Sequence, residues 1–206
     1  MEIKSYNIIC VGVGGQGVIR VIQILSNAAM IEGFKVRTAE THGMAQRGGS
    51  VAAYLRFGTS VEGPLIPRGR VNVVLAFEMS EAVRNFNYAG PNTFFFINNR
   101  MIIPPMINQM KMEYPSDDEI YNFLKLVSPY VFFIKAEELA KKSGSIRAMN
   151  VVMLGVILGA GKIPIKRKSL EDSIFQFIPK KVHDINKEAL QIGIEKGNSI
   201  MRDLNV

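Results

Sequence analysis

Tryptophan is absent from this 206-residue chain, cysteine occurs once and histidine twice. One cysteine excludes an intrachain disulfide, and it cannot hold an iron–sulfur cluster, which takes several thiolates. Cys10 lies inside an apolar run and reads as a small buried hydrophobe. The histidines, at positions 42 and 183, are too far apart and too few for a metal site, so none is expected. Long apolar runs are lacking as well. The longest, residues 151–160, falls short of the roughly 20 residues that cross a bilayer. The first residues, MEIKSYNIICVGVGG, show neither the basic nor the apolar region of a signal peptide. A cytoplasmic protein with no membrane association is expected.

Basic residues outnumber acidic ones, 25 to 18, for a formal charge of +7. They are spread along the chain, and the densest groups, Lys166 to Lys168 and Lys180 with Lys181, are short and sit near acids. No nucleic-acid-binding signature accompanies them, so nucleic acid is not an expected partner. An anionic small molecule or an acidic partner protein suits this charge better.

Nearly half of the residues are apolar (48%), enough for one core. The pattern predicts a Rossmann-like, doubly wound α/β fold with a mostly parallel sheet. Residues 6–11 (YNIICV) form a continuous β-prone run, residues 18–33 have helical spacing ending at Gly33, and residues 35–40 (KVRTAE) make a second strand. Residues 50–57 read as a strand, with 60–66 pairing back on it as a β-hairpin insertion. Further strands are expected at 71–77, 93–98 and 130–135, and helices at 80–86, 117–126 and 136–142. From residue 144 the pattern is helical, with Ser145 and Ser169 as candidate caps and a last helix from about 180 to 201. One domain over residues 1–206 is expected, an α/β core (1–143) followed by a C-terminal helical extension (144–206).

Two stretches carry the chemistry. In GVGGQG, Gly12, Gly14 and Gly17 satisfy the G-x-G-x-x-G spacing between a strand and a helix. Such a turn brings backbone amides against an anion, with Gly15 and Gln16 beside it. Glu40 ends the second strand where a dinucleotide enzyme would hold a ribose. It leads straight into THGMAQRGGSV (41–51), which offers His42, the amide of Gln46 and the cation of Arg47 among glycines. An arginine so placed suits a phosphate, a carboxylate or an acidic partner, but no catalytic triad is readable around His42. Glu78, just after the strand at 71–77, reads first as a helix-start acid, and His183 as a surface residue.

Taken together, GVGGQG, ETHGMAQRGGSV and GPLIPRGRVNVVLAFE (63–78) resemble the γ-type domain of ferredoxin-dependent 2-oxoacid oxidoreductases. Within that group the resemblance is to the β subunits of indolepyruvate ferredoxin oxidoreductases. It is strong over residues 7–86 and weaker through NVVMLG (150–155). It implies oxidative decarboxylation of a 2-oxoacid with coenzyme A to an acyl-CoA, carbon dioxide and reduced ferredoxin. Thiamine diphosphate and the Fe–S clusters would belong to a larger partner subunit, consistent with the single cysteine and the lack of a thiamine signature here. The resemblance further implies that Gly14, Gly15, Gln16 and Gly17 face the anionic part of coenzyme A, and that His42, Gln46 and Arg47 reach a shared site or a subunit contact. Isolated from its partner, the chain is expected to be inactive, and it could pair as a homodimer. Two rivals stay open at this point: a stand-alone NAD(P)-binding oxidoreductase and a non-enzymatic nucleotide-binding regulatory protein.

Overall fold

The computed structural model describes residues 3–40, 49–103 and 113–204. Among them, six strands make one sheet in the order β2-β3-β1-β4-β5-β6. The strands are β1 (Tyr6–Val13), β2 (Lys35–Glu40), β3 (Ser50–Gly58), β4 (Val73–Ala76), β5 (Phe94–Asn98) and β6 (Val131–Ile134). β1, β4, β5 and β6 pair in parallel, whereas β3 lies antiparallel between β1 and β2. The mostly parallel α/β sheet expected from the sequence is therefore present, with one reversed strand inserted next to its centre.

The expected hairpin between β3 and residues 60–66 does not form. β3 pairs back on β2 instead, and residues 61–66 take no strand. Pro64 and Pro67 cannot donate to a ladder. The segment is held by other means: Val61 and Ile66 are buried, and the Arg56 guanidinium donates to the carbonyls of Gly63 (3.0 Å) and Leu65 (2.9 Å).

The central strands read as unbroken apolar runs because both faces are covered. Ile8, Cys10, Val73 and Leu75 face one side, and Ile9, Val11, Val74 and Ala76 the other. Helix α1 (Val18–Ile31) buries Val18, Val21, Ile22 and Leu25 on the first side. Gly33, at φ 83°, ends it, with Phe34 N–H returning to the Ala29 carbonyl at 3.1 Å. The second side is covered by α2 (Met79–Arg84) and α3 (Asp117–Val127), the latter started by a capping box of Ser116 and Glu119. A short helix, α4 (Ala136–Lys142), follows β6.

The last three helices are α5 (Met149–Gly159), α6 (Arg167–Phe177) and α7 (His183–Leu204). Ser145 caps only a 3-10 turn, Ile146–Ala148, that leads into α5. Ser169 is no cap, because α6 starts two residues earlier. Its hydroxyl instead donates to Glu32 Oε1 (2.5 Å) at the end of α1. Glu171 and Asp172 consequently leave the first turn and pair at i,i+4 with Arg167 (2.7 Å) and Lys168 (2.6 Å). Helix α5 is apolar all round because it is enclosed, sharing a cluster with Leu75 and Phe96 of the sheet. It meets α7 through glycines. A Cβ added to Gly159 would lie 2.1 Å from the Ile194 carbonyl oxygen, and one on Gly193 2.2 Å from that of Val152.

Candidate functional site

The site forms where β1 ends and α1 begins. Beyond Val13 the chain bends through the glycines, and Gly14 N–H donates to the carbonyl of Gly49 (2.8 Å), just ahead of β3. The THGMAQRGG stretch is thus tied by its last residue to the glycine turn. His42, Gln46 and Arg47 themselves lie outside the described residues.

Each glycine has its own steric reason. A Cβ on Gly12 would stand 2.6 Å from Gln16 Oε1 and 3.2 Å from Phe77 Cβ. Gly17 has φ 78°, and a Cβ there would meet Asn150 Nδ2 at 2.4 Å. Gly15, at φ 101°, is exposed and faces open space. The side chain of Gln16 is taken up internally. It accepts from Val13 N–H (2.7 Å) and donates to the Phe77 carbonyl (3.0 Å), bridging the ends of β1 and β4. The expectation that Gln16 faces an anion does not match this geometry, since a carboxamide bonded on both ends to the backbone braces the turn. Among the described residues, what stays available for an anion is the exposed backbone at Gly15 and the first turn of α1, which no described side chain caps.

Asn150, at the start of α5, completes the turn by donating from Nδ2 to the Gln16 carbonyl (2.9 Å), while its buried Oδ1 has no partner among the described residues. In the sequence Asn150 stood out only as the first residue of the NVVMLG stretch, where the family resemblance is weaker. Its polar side chain ahead of an unbroken apolar run was the available signal. Beside it a cavity of about 450 Å3 opens between α1, the turn before α5 and the start of α7. Arg20, Arg147 and Lys181 line it together with Ile24, Val151 and Ile185. Arg20 is steadied by the Phe177 carbonyl (3.0 Å).

Glu40 lies elsewhere. β3 separates β2 from β1, with Glu40 level with Ala53 and Ala53 level with Cys10. At the usual strand spacing this puts Glu40 about 10 Å from β1. It lines a separate depression with Gln23, Thr38 and Phe177. The geometry of a ribose-holding acid, one strand from the glycine turn, is absent.

On the β4 side, two acids are buried. Glu78 caps α2, accepting from Glu81 N–H (3.0 Å) and Ser80 Oγ (2.7 Å). It also accepts from Ile102 N–H and Tyr114 OH, both at 3.2 Å. Glu78 is the helix-start acid expected, and it additionally ties together chain on both sides of residues 104–112. Glu81 accepts from the Ser50 hydroxyl and pairs with Arg84 Nε (3.1 Å). Burial pushes its carboxyl above the usual range, outweighing the lowering by Ser50 and Arg84. His183 is not a free surface residue either. Its ring packs on Phe175, and Nε2 lies 2.9 Å from the Ile178 carbonyl oxygen. No group of three or more metal-ligating side chains occurs among the described residues.

Residues 7–196 match the family model described as pyruvate ferredoxin/flavodoxin oxidoreductase. The chain belongs to that family. A curated relative, indolepyruvate oxidoreductase subunit IorB of Archaeoglobus fulgidus, is 42% identical over 94% of this chain and 96% of its own. Among solved structures, the gamma subunit of a keto/oxoacid ferredoxin oxidoreductase from Geobacter sulfurreducens superposes with a TM-score of 0.68 at 18% identity, over 94% of this chain and 99% of that one. The 2-oxoglutarate:ferredoxin oxidoreductase of Magnetococcus marinus, solved with 2-oxoglutarate, coenzyme A and succinyl-CoA bound, matches with a TM-score of 0.69 at 22% identity. There the likeness covers 97% of this chain and 31% of the longer polypeptide. At these identities the two structures establish the shared fold.

Proposed function

We propose that this chain is the smaller subunit of an indolepyruvate-type (aryl-pyruvate) ferredoxin oxidoreductase and supplies part of its coenzyme A site. The complex converts an aryl pyruvate, coenzyme A and oxidised ferredoxin to aryl acetyl-CoA, carbon dioxide and reduced ferredoxin. The observation that carries the assignment is the 42% identity to an IorB subunit along nearly the whole chain. Cys10, the single cysteine, is enclosed at the centre of β1, so Fe–S clusters belong to a partner. The same larger partner subunit would carry thiamine diphosphate. The described residues contain no helix long and apolar enough to cross a membrane.

This chain's own contribution is binding and orientation. Coenzyme A is a polyanion with a long, less polar arm. The open backbone at Gly15 and the cations Arg147 and Lys181 suit its phosphates, and Ile24, Val151 and Ile185 offer the arm an apolar wall. Gln16 and Asn150 act behind them by holding the turn in shape. His42, Gln46 and Arg47, joined to the turn through Gly49, would reach the shared site or the subunit contact. Glu40 has no part in this reading, because β3 separates its strand from the glycine turn.

The test is Arg147→Ala in the reconstituted complex. Removing one charge-assisted contact should raise KM for coenzyme A about tenfold while leaving KM for the aryl pyruvate unchanged. An unaltered coenzyme A dependence removes the groove from the site.

A further inference from the structure

The GPLIPRGR motif (63–70) plays no part in the coenzyme A reading, and it lies at the opposite, amino edge of the sheet. β1 and β4 begin there, a strand length, roughly 20 Å or more, from the glycine turn. In the antiparallel ladders Arg56 stands opposite both Arg37 and Asn7. Two like charges across a ladder repel, and such a pair needs compensation. The compensation here is entirely neutral. Arg56 donates to Asn7 Oδ1 (3.0 Å) and to the Gly63 and Leu65 carbonyls, and Arg37 donates to the carbonyls of Glu62 (3.1 Å) and Val36 (2.9 Å). Among the described residues neither arginine, nor Arg70, forms an ion pair. Among the described residues the half-buried Arg56 guanidinium is thus left without a counter-charge, which an anion would supply.

The surroundings are built to receive one. Asn7, only 5% exposed, organises the floor: its Oδ1 orients Arg56, its Nδ2 donates to the Arg70 carbonyl (2.8 Å), and its N–H donates to Asn72 Oδ1 (2.8 Å). With the Asn72 oxygen engaged, Nδ2 remains as the free end of that amide. The resulting cavity of about 390 Å3 is lined, among the described residues, by Ser5, Asn7, Arg56, Pro67, Arg70 and Asn72, none of them a carboxylate. Its lining thus includes two arginines, two asparagines and a serine. Buried Ile66 pins the motif in place, and the bend at Gly69 (φ 71°) brings the chain back for Arg70 to line the cavity.

We propose that this cavity is an oxyanion site for a phosphate group, free or carried on a small molecule. The number and spread of donors exceed what a two-oxygen carboxylate uses and match a phosphate. The site is independent of the coenzyme A reading and can be tested on the full chain alone. Inorganic phosphate is titrated against chloride at matched ionic strength, and the backbone amide of residue 72, which both variants retain, is followed by NMR. Saturable shifts at Asn72 are expected. Asn72→Asp keeps an oxygen for Asn7 N–H but replaces the free donor by a negative oxygen, and Arg70→Gln removes an exposed cation. Each should weaken binding at least about tenfold, the loss of one charge-assisted hydrogen bond. Arg147→Ala, in the other groove, should bind at this site like the wild type. A nucleoside monophosphate serves as the second ligand: tighter binding than inorganic phosphate identifies a carried phosphate, and equal binding a free one. Absence of a saturable shift at Asn72, or variants that bind as well as the wild type, overturns the proposal.

Discussion

Glutamine 16 shows how one side chain can be legible in type and misleading in direction. Its place in GVGGQG suggested a ligand contact, yet its amide spans the backbone ends of two strands. A polar residue in a loop reads the same whether it faces solvent or the fold, because its hydrogen-bond partners are remote in sequence. Glu81 is a second case. Its folded-state carboxyl is raised by burial, so the folded protein holds a proton that the unfolded chain releases above the ordinary carboxylate pKa. The sign follows: this group makes stability fall as pH rises from the unfolded value to the folded one. Urea unfolding followed as pH rises above the ordinary carboxylate pKa should show that decline, and Glu81→Gln, which cannot ionise but can still bond Ser50, should flatten it. Identical slopes in the two proteins would refute the assignment.

At the level of elements, period and punctuation located almost every strand and helix, since the central strands carry the continuous apolar runs that two-sided burial requires. The exceptions have local causes. Residues 60–66 have a β-like composition, but Pro64 cannot donate to a ladder and the Arg56 guanidinium takes the carbonyls of Gly63 and Leu65. The close crossing of α5 and α7 is another feature that periodicity does not announce, because Gly155, Gly159, Gly193 and Gly197 act as a matched set only once the helices meet. Gly159→Ala tests that crossing with an informative sign. In an isolated helix the change gains about 1 kcal/mol of propensity. Here the added methyl must displace the Ile194 backbone, and overpacking typically costs about 1–3 kcal/mol. A net loss of stability in chemical denaturation is expected, whereas a gain would mean that the helices separate freely.

For the whole molecule, the family follows from motif combinations that are local in the linear chain, and the lone cysteine supports the proposed division of labour. The corresponding prediction is that anaerobic purification recovers this chain with a larger subunit containing thiamine diphosphate and Fe–S clusters, and that aryl-pyruvate oxidation requires both. Turnover by the larger chain alone would reduce this subunit to an accessory. Binary pattern, glycine placement and motif spacing determined the α/β class, the glycine turn and the family, because these depend on residues close together in sequence. Only the tertiary structure decided that β3 enters between β1 and β2, that Glu40 is thereby carried away from the turn, and that Asn7, Arg56, Arg70 and Asn72 converge on one cavity. Strand order and long-range side-chain contacts come from competition among distant surfaces for burial and for hydrogen-bond partners, and that competition is settled only when the whole chain packs.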